Sequence, residues 1–228
     1  MARLVQALTT VTMLLGCDLA SAGERTAPSK AFEAIGVRLE QNATDRDVEV
    51  VFEVTGGDEG LAQLTVVSPD GRKVIDFTAP DAISLGMRHF QFESPEPKDI
   101  ESLLSAYPAG LYTFTGATGA GKKLHGSSKL SHKLPTTTSF LRPTAGASGV
   151  ASEHLQIHWA PVKNVVAYVI ELEQEELNVK ITARLPKSVS VFAIPDEILR
   201  PGMEYQVAIG TVTNEGNISF VETTFTTK

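Results

Sequence analysis

Residues 116–123 run Gly116-Ala117-Thr118-Gly119-Ala120-Gly121-Lys122-Lys123, one position short of the glycine-rich loop that cradles phosphate. In such a loop the residue after the lysine carries a hydroxyl that holds magnesium; here that position is Lys123. A helix should also follow, so that its first amides face the phosphate, whereas an alternating strand pattern follows here. The segment therefore reads as a glycine-rich hairpin tip. His154 and His158 stand four apart and could share a metal on a helix. On a strand, at ~3.3 Å per residue, they are about 13 Å apart and one ion cannot bridge them. His132 shares a face with Leu130 and Leu134. It reads as a hydrogen-bonded core histidine, with a pH-sensitive joint or a ligand role as the other readings.

The carboxylates divide into three groups. Asp45, Asp47, Asp58 and Glu59 lie near strand ends, but Asp45-Arg46-Asp47 lacks the glycine and terminal glutamate of a calcium loop. Glu93, Glu96, Asp99 and Glu101 flank a helix start, where they favour its dipole rather than form a glycosidase pair. Glu171, Glu173 and Glu175 alternate with inward residues and form an acidic stripe: a solvated face, or a docking surface for a basic partner. There is no Gly-x-Ser-x-Gly motif, and five scattered histidines give no triad order. The reading is no catalytic residue, no metal, no cofactor, and no enzyme.

The formal charge is −7, which disfavours a nucleic-acid partner; Lys129 and Lys133 alternate with Leu130 and Leu134 as a strand's wet face. The only cysteine is Cys17, so neither an internal disulfide nor a cysteine zinc site can form. Met1-Ala2-Arg3 and the apolar run to Leu15 suit a signal sequence of about a dozen apolar residues, too short to span a bilayer. Ala20-Ser21-Ala22 offers a cleavage site, making residues 1–22 a signal peptide and residues 23–30 a tether. Alternatively Leu14-Leu15-Gly16-Cys17 resembles a bacterial lipobox, with cleavage before Cys17 and a lipid on it. Either route places the mature chain outside the cytoplasm, in the periplasm or cell envelope or secreted; the membrane would be reached only through Cys17.

The elements that must carry these residues are mostly strands. Val48, Val50, Phe52 and Val54 alternate inward against Glu49 and Glu53. Residues 61–67 and 73–77 form a hairpin over Ser68-Pro69-Asp70-Gly71. Residues 88–92 add a strand with Phe90 and Phe92 on one face. Ile100, Leu103, Leu104 and Tyr107 then follow helical spacing up to Pro108. Residues 111–115 and 123–133 form a last hairpin. Residues 31–134 are thus a β-sandwich-like unit with one short helix.

Residues 135–138, Pro135-Thr136-Thr137-Thr138, are a short stiff linker that limits motion between units. Beyond it, Leu155, Ile157 and Trp159 alternate inward, as do Tyr168, Ile170 and Leu172. Residues 144–152 read as loop. Pro201-Gly202 turns the chain into Tyr205, Val207 and Ile209 on one face, and the tyrosine reads as a tyrosine corner with its hydroxyl bonded to backbone upstream. The last hairpin turns through Asn214-Glu215-Gly216-Asn217. The order of Trp159, Tyr168, Pro201-Gly202 and Tyr205 resembles a fibronectin type III domain over residues 139–228. Together with Tyr107-Pro108-Ala109-Gly110-Leu111-Tyr112 in front, the whole chain resembles exported bacterial proteins carrying such a module, whose activity is uncharacterised. No Arg-Gly-Asp stands in the last hairpin, so the family's best-known adhesion chemistry is not carried over.

The fold expected is mostly β: two tandem sandwiches, the second immunoglobulin-like. The function expected is a non-catalytic envelope interaction or spacer module for a protein or glycan. Its alternatives are a carbohydrate-binding accessory domain and, behind it, a hydrolase. Glu171, Glu173, Glu175, Asn214, Glu215 and Asn217 are its candidate surface. Trp159, Tyr168, Tyr205, Pro201 and Gly202 are its structural core.

Overall fold

Strict alternation of apolar and polar residues produces two-faced strands, and two-faced strands bury their apolar sides by pairing sheets. The computed structural model describes residues 31–79 and 87–228. The signal sequence and tether expected from the sequence, with Cys17, lie outside the described residues.

The first half contains β1 (Ala34–Asn42), β2 (Asp47–Thr55), β3 (Leu61–Val67), β4 (Lys73–Thr78), β5 (His89–Glu93), the helix α1 (Ile100–Ala106), β6 (Gly110–Thr118) and β7 (Lys123–Leu130). One sheet runs β4-β3-β6-β7 and faces β1-β2-β5. Val37, Leu39, Val50, Phe52, Leu64, Val66, Phe114 and Leu130 are buried between them. Asp99 caps α1 by accepting from the Ser102 amide at 2.7 Å. Leu103 is buried in the core and Leu104 packs against it, while Ile100 stays exposed.

The second half contains β8 (Phe140–Arg142), β9 (Ala147–Val150), β10 (Gln156–Trp159), β11 (Ala167–Gln174), β12 (Val179–Pro186), β13 (Val191–Ala193), a 3₁₀ turn at Asp196–Ile198, β14 (Glu204–Val212) and β15 (Ile218–Thr227). The sheet β13-β10-β8 faces β12-β11-β14-β15 across a separate core of Ile157, Trp159, Tyr168, Ile170, Tyr205, Val207 and Phe225. This is the two-sheet antiparallel sandwich that the fibronectin resemblance implies. Residues 144–152 are not all loop: β9 pairs in parallel with β15.

The two halves share a sheet. β1 lies parallel to β15, with Glu40 opposite Ile218, Gln41 opposite Ser219 and Asn42 opposite Phe220. The strand path is therefore continuous as β12-β11-β14-β15-β1-β2-β5. β1 had no place in the sequence reading, and it is the strand that fuses the sandwiches.

Candidate functional site: the seam between the halves

The seam is built from the β14–β15 hairpin, the start of β15, β1 and the chain leaving β7. Thr213 and Asn217 close the hairpin through the Thr213 amide to the Asn217 carbonyl at 2.9 Å. Gly216 takes φ 95° there, a conformation that side-chain-bearing residues rarely adopt. The Asn217 side chain turns inward. Its Oδ1 accepts from the Leu39 amide at 2.9 Å. Its Nδ2 donates to the Ser131 carbonyl at 2.7 Å and the Lys133 carbonyl at 3.0 Å. Asn217 is 1% exposed, so it does not belong to the open hairpin surface expected from sequence. The correction has a plain cause: a buried amide must satisfy both its ends, and the backbone of the other half supplies the partners.

Further bonds run along the same seam. The Ala43 amide donates to the Phe220 carbonyl at 2.9 Å. The Glu222 amide donates to Thr44 Oγ1 at 2.9 Å, and Ser219 Oγ donates to Gln41 Oε1 at 3.2 Å. The linker is tied down as well: Thr211 Oγ1 donates to the Thr136 carbonyl at 2.9 Å and Thr138 Oγ1 to the Ala160 carbonyl at 2.6 Å.

Beside the seam, one face of the shared sheet forms a groove of about 670 Å³. Val169, Ile218 and Phe220 pave it. Arg38 reaches Glu40 at 3.1 Å and Glu53 at 3.2 Å on its rim. Glu171 faces the same groove. Burial raises the Glu171 carboxyl above its ordinary range, and Glu40 across the seam adds to it. Farther along this face the Glu49 carboxyl is pushed up to about 7, first by burial and then by Glu93, Asp47 and Glu40.

The expected acidic stripe does not act as one surface. Glu171 is half-buried in the groove, Glu173 is paired with Lys180, and Glu175 is exposed at the β11–β12 turn. Asn214 and Glu215 are exposed at the hairpin tip. Trp159 and Tyr168 meet edge to face at 5.4 Å, and Tyr205 stacks on Phe225 at 5.6 Å. Tyr205 Oη accepts from the Arg200 amide at 2.8 Å and donates to the Ile198 carbonyl at 3.3 Å, which is the tyrosine corner. Pro201 and Gly202 are exposed and make its turn, with Gly202 at φ 74°.

Other expected chemistry is used up locally. Residues 118–122 are a hairpin tip, where the Lys122 ammonium pairs with Glu59. His132 donates from Nε2 to the Tyr107 carbonyl at 2.8 Å, the hydrogen-bonded reading. His154 pairs with Asp196 at 3.0 Å, while His158 meets Gln156 at 3.2 Å. Among the described residues no group of three His, Cys, Asp or Glu side chains is arranged to hold a metal.

Two features escaped the sequence reading. The first is β1, although Ile35, Val37 and Leu39 do alternate with Gly36, Arg38 and Glu40. The second is a tyrosine corner in the first half: Tyr112 Oη donates to the Pro108 carbonyl at 3.1 Å. Pro108, Gly110, Tyr112 and Phe114 were its signal. Burial pushes the Tyr112 phenol up to about 12.

No protein-family model matches the chain, and no curated protein matches it. Solved structures do. The fibronectin(III)-like modules of Clostridium thermocellum CbhA align over 86% of this chain and 91% of theirs, at 9% identity and a TM-score of 0.36. A two fibronectin type III domain segment of chicken tenascin aligns over 87% of this chain and all of its own, at 16% identity and a TM-score of 0.32. The FN1–FN3 domains of chicken CNTN1 align over 84% of this chain and 64% of theirs, at 15% identity and a TM-score of 0.32.

Proposed function

We propose that this chain works outside the cytoplasm as a non-catalytic spacer, a stiff two-sandwich unit that holds whatever it binds at a fixed separation and angle. One observation carries the reading: Asn217 bonds the backbone of the other half at three points while β1 extends the sheet of β15. Tandem sandwiches joined only by a linker move against each other by default. Here a shared sheet and a buried amide replace that freedom. The apolar run before Leu15 and the placement of Cys17 support export, with or without a lipid. Binding of a protein or glycan belongs to the same proposal; Asn214 and Glu215 at the hairpin tip are its first surface to vary.

The test is single-molecule energy transfer between one dye on each half, at exposed Leu111 and Val191. A single narrow distance that broadens in Asn217→Ala supports the spacer. A broad distance in the unaltered chain refutes it.

A further inference from the structure

The shared sheet ends, among the described residues, in β12 on one side and β5 on the other. Among the described residues, β12 has a neighbour only in β11 and β5 only in β2. Each end therefore presents a row of backbone groups open to a further strand. Along the path from β12 to β5, five steps are antiparallel and one, β15 to β1, is parallel. Five reversals leave β5 running opposite to β12. A second copy that continues the sheet and its twist thus brings its β5 antiparallel to β12, in the sense of most pairs already present.

The faces also match. The strand registers place Lys180, Thr182 and Arg184 on the same side of the sheet as His89, Gln91 and Glu93. All six are exposed. On the other side, Ile181 and Ala183 are half-buried, Phe92 is half-buried and Phe90 is buried. With Glu93 opposite Lys180, Gln91 falls opposite Thr182, His89 opposite Arg184, Phe92 opposite Ile181 and Phe90 opposite Ala183. Polar then meets polar on one face and apolar meets apolar on the other.

Charge selects this pairing over the symmetric ones. β12 carries Lys180 and Arg184 and no acid, so β12 against β12 about Thr182 sets Lys180 opposite Arg184. β5 against β5 about Gln91 sets Glu93 opposite His89, an imidazole in place of the Lys180 ammonium. β5 against β12 brings an ammonium to Glu93. Lys180 already holds Glu173 and would share its charge between the two.

We propose that the chain assembles end to end with copies of itself, β5 of one copy adding antiparallel to β12 of the next, with Glu93 opposite Lys180. The contact is heterologous, so it makes open arrays or large rings rather than dimers. It uses edges that the spacer reading leaves free, and it stands or falls separately from the stiffness of the seam.

Sedimentation of the full chain over a concentration series tests it. The average mass should climb with concentration past the dimer. Glu93→Lys alone and Lys180→Glu alone should each weaken assembly about tenfold or more, because each sets like charges opposite. Mixing the two variants restores both contacts, and mass growth should return. Both changes are on exposed side chains, and circular dichroism checks that the sandwiches persist. A monomer mass throughout, growth indifferent to both reversals, or a mixture that fails to recover overturns the proposal.

Discussion

Asn217 Oδ1 lies 2.9 Å from the Leu39 amide, a bond that joins residues 178 positions apart. One side chain at the start of the last strand thereby holds the first strand of the other sandwich. Backbone amides on sandwich edges normally face water or a partner strand; here one faces a side chain chosen to fit it.

Asn217→Ala is the direct test of that bond. It strands the Leu39 amide and removes a donor from the Ser131 and Lys133 carbonyls. The expected loss is roughly 2–3 kcal/mol, since an unmet buried polar group costs on the order of 1–3 kcal/mol. The loss should fall on the coupling of the halves. Calorimetry should show one transition in the unaltered chain and two in the variant. Asn217→Asp keeps the acceptor for Leu39 but turns a buried carboxylate oxygen toward the Ser131 and Lys133 carbonyls, and should cost at least as much as alanine at neutral pH.

The two tyrosine corners predict small effects. Tyr112→Phe removes one hydroxyl bond and Tyr205→Phe two, with the rings left packed, so each should cost on the order of 1 kcal/mol in urea unfolding, Tyr205→Phe the more. Trp159→Ala empties the site where its ring meets Tyr168 of the facing sheet and should cost about 3–5 kcal/mol. Comparable losses from all three would show that Trp159 is not the centre of its core.

Glu49 makes stability depend on pH in the unusual direction for an acid. Its carboxyl sits at about 7 in the fold against 4.5 as the ordinary value. Between those values the folded chain binds the extra proton, so stability falls as pH rises from about 4.5 to about 7 and is level above. Glu49→Gln should therefore raise the melting temperature at pH 8 and leave it nearly unchanged at pH 4. The gain should be about 1 kcal/mol or less, because solvent screens a half-exposed site. A gain at pH 4 equal to that at pH 8 would contradict the assignment.

Gly210 lies directly opposite Phe220 in the seam-side strands. A Cβ at Gly210 would stand 2.7 Å from the Phe220 ring and 2.8 Å from Ile218. Gly210→Ala should then cost roughly 1–3 kcal/mol by overpacking. Adding Phe220→Leu should recover part of it, measured by the same urea series.

What was legible in the sequence was local. Val48, Val50, Phe52 and Val54, the Pro201-Gly202 corner and the Asp99 helix start announce their structure within a few neighbours. The seam does not. β1 alternates with Gly36 and Arg38 in a stretch that carries one face of medium-sized apolar residues, and its identity as a strand rests on β2 and β15, one of them almost two hundred residues away. Asn217 in a turn reads as an ordinary turn asparagine because asparagine favours turns in any context. Its buried role depends on which backbone comes to meet it. The acidic stripe failed as a unit for the same reason: alternation places Glu171, Glu173 and Glu175 on one face, while the neighbouring strands decide that one is half-buried, one is paired and one is exposed.

The central claim is that the two sandwiches form one stiff body. Residual dipolar couplings of backbone amides in a weakly aligned sample measure it most directly. A stiff chain requires that couplings from residues 31–134 and 139–228 fit a single alignment tensor with the strand directions of this structure. Two tensors of clearly different magnitude would mean that the halves reorient independently and that the seam does not hold them.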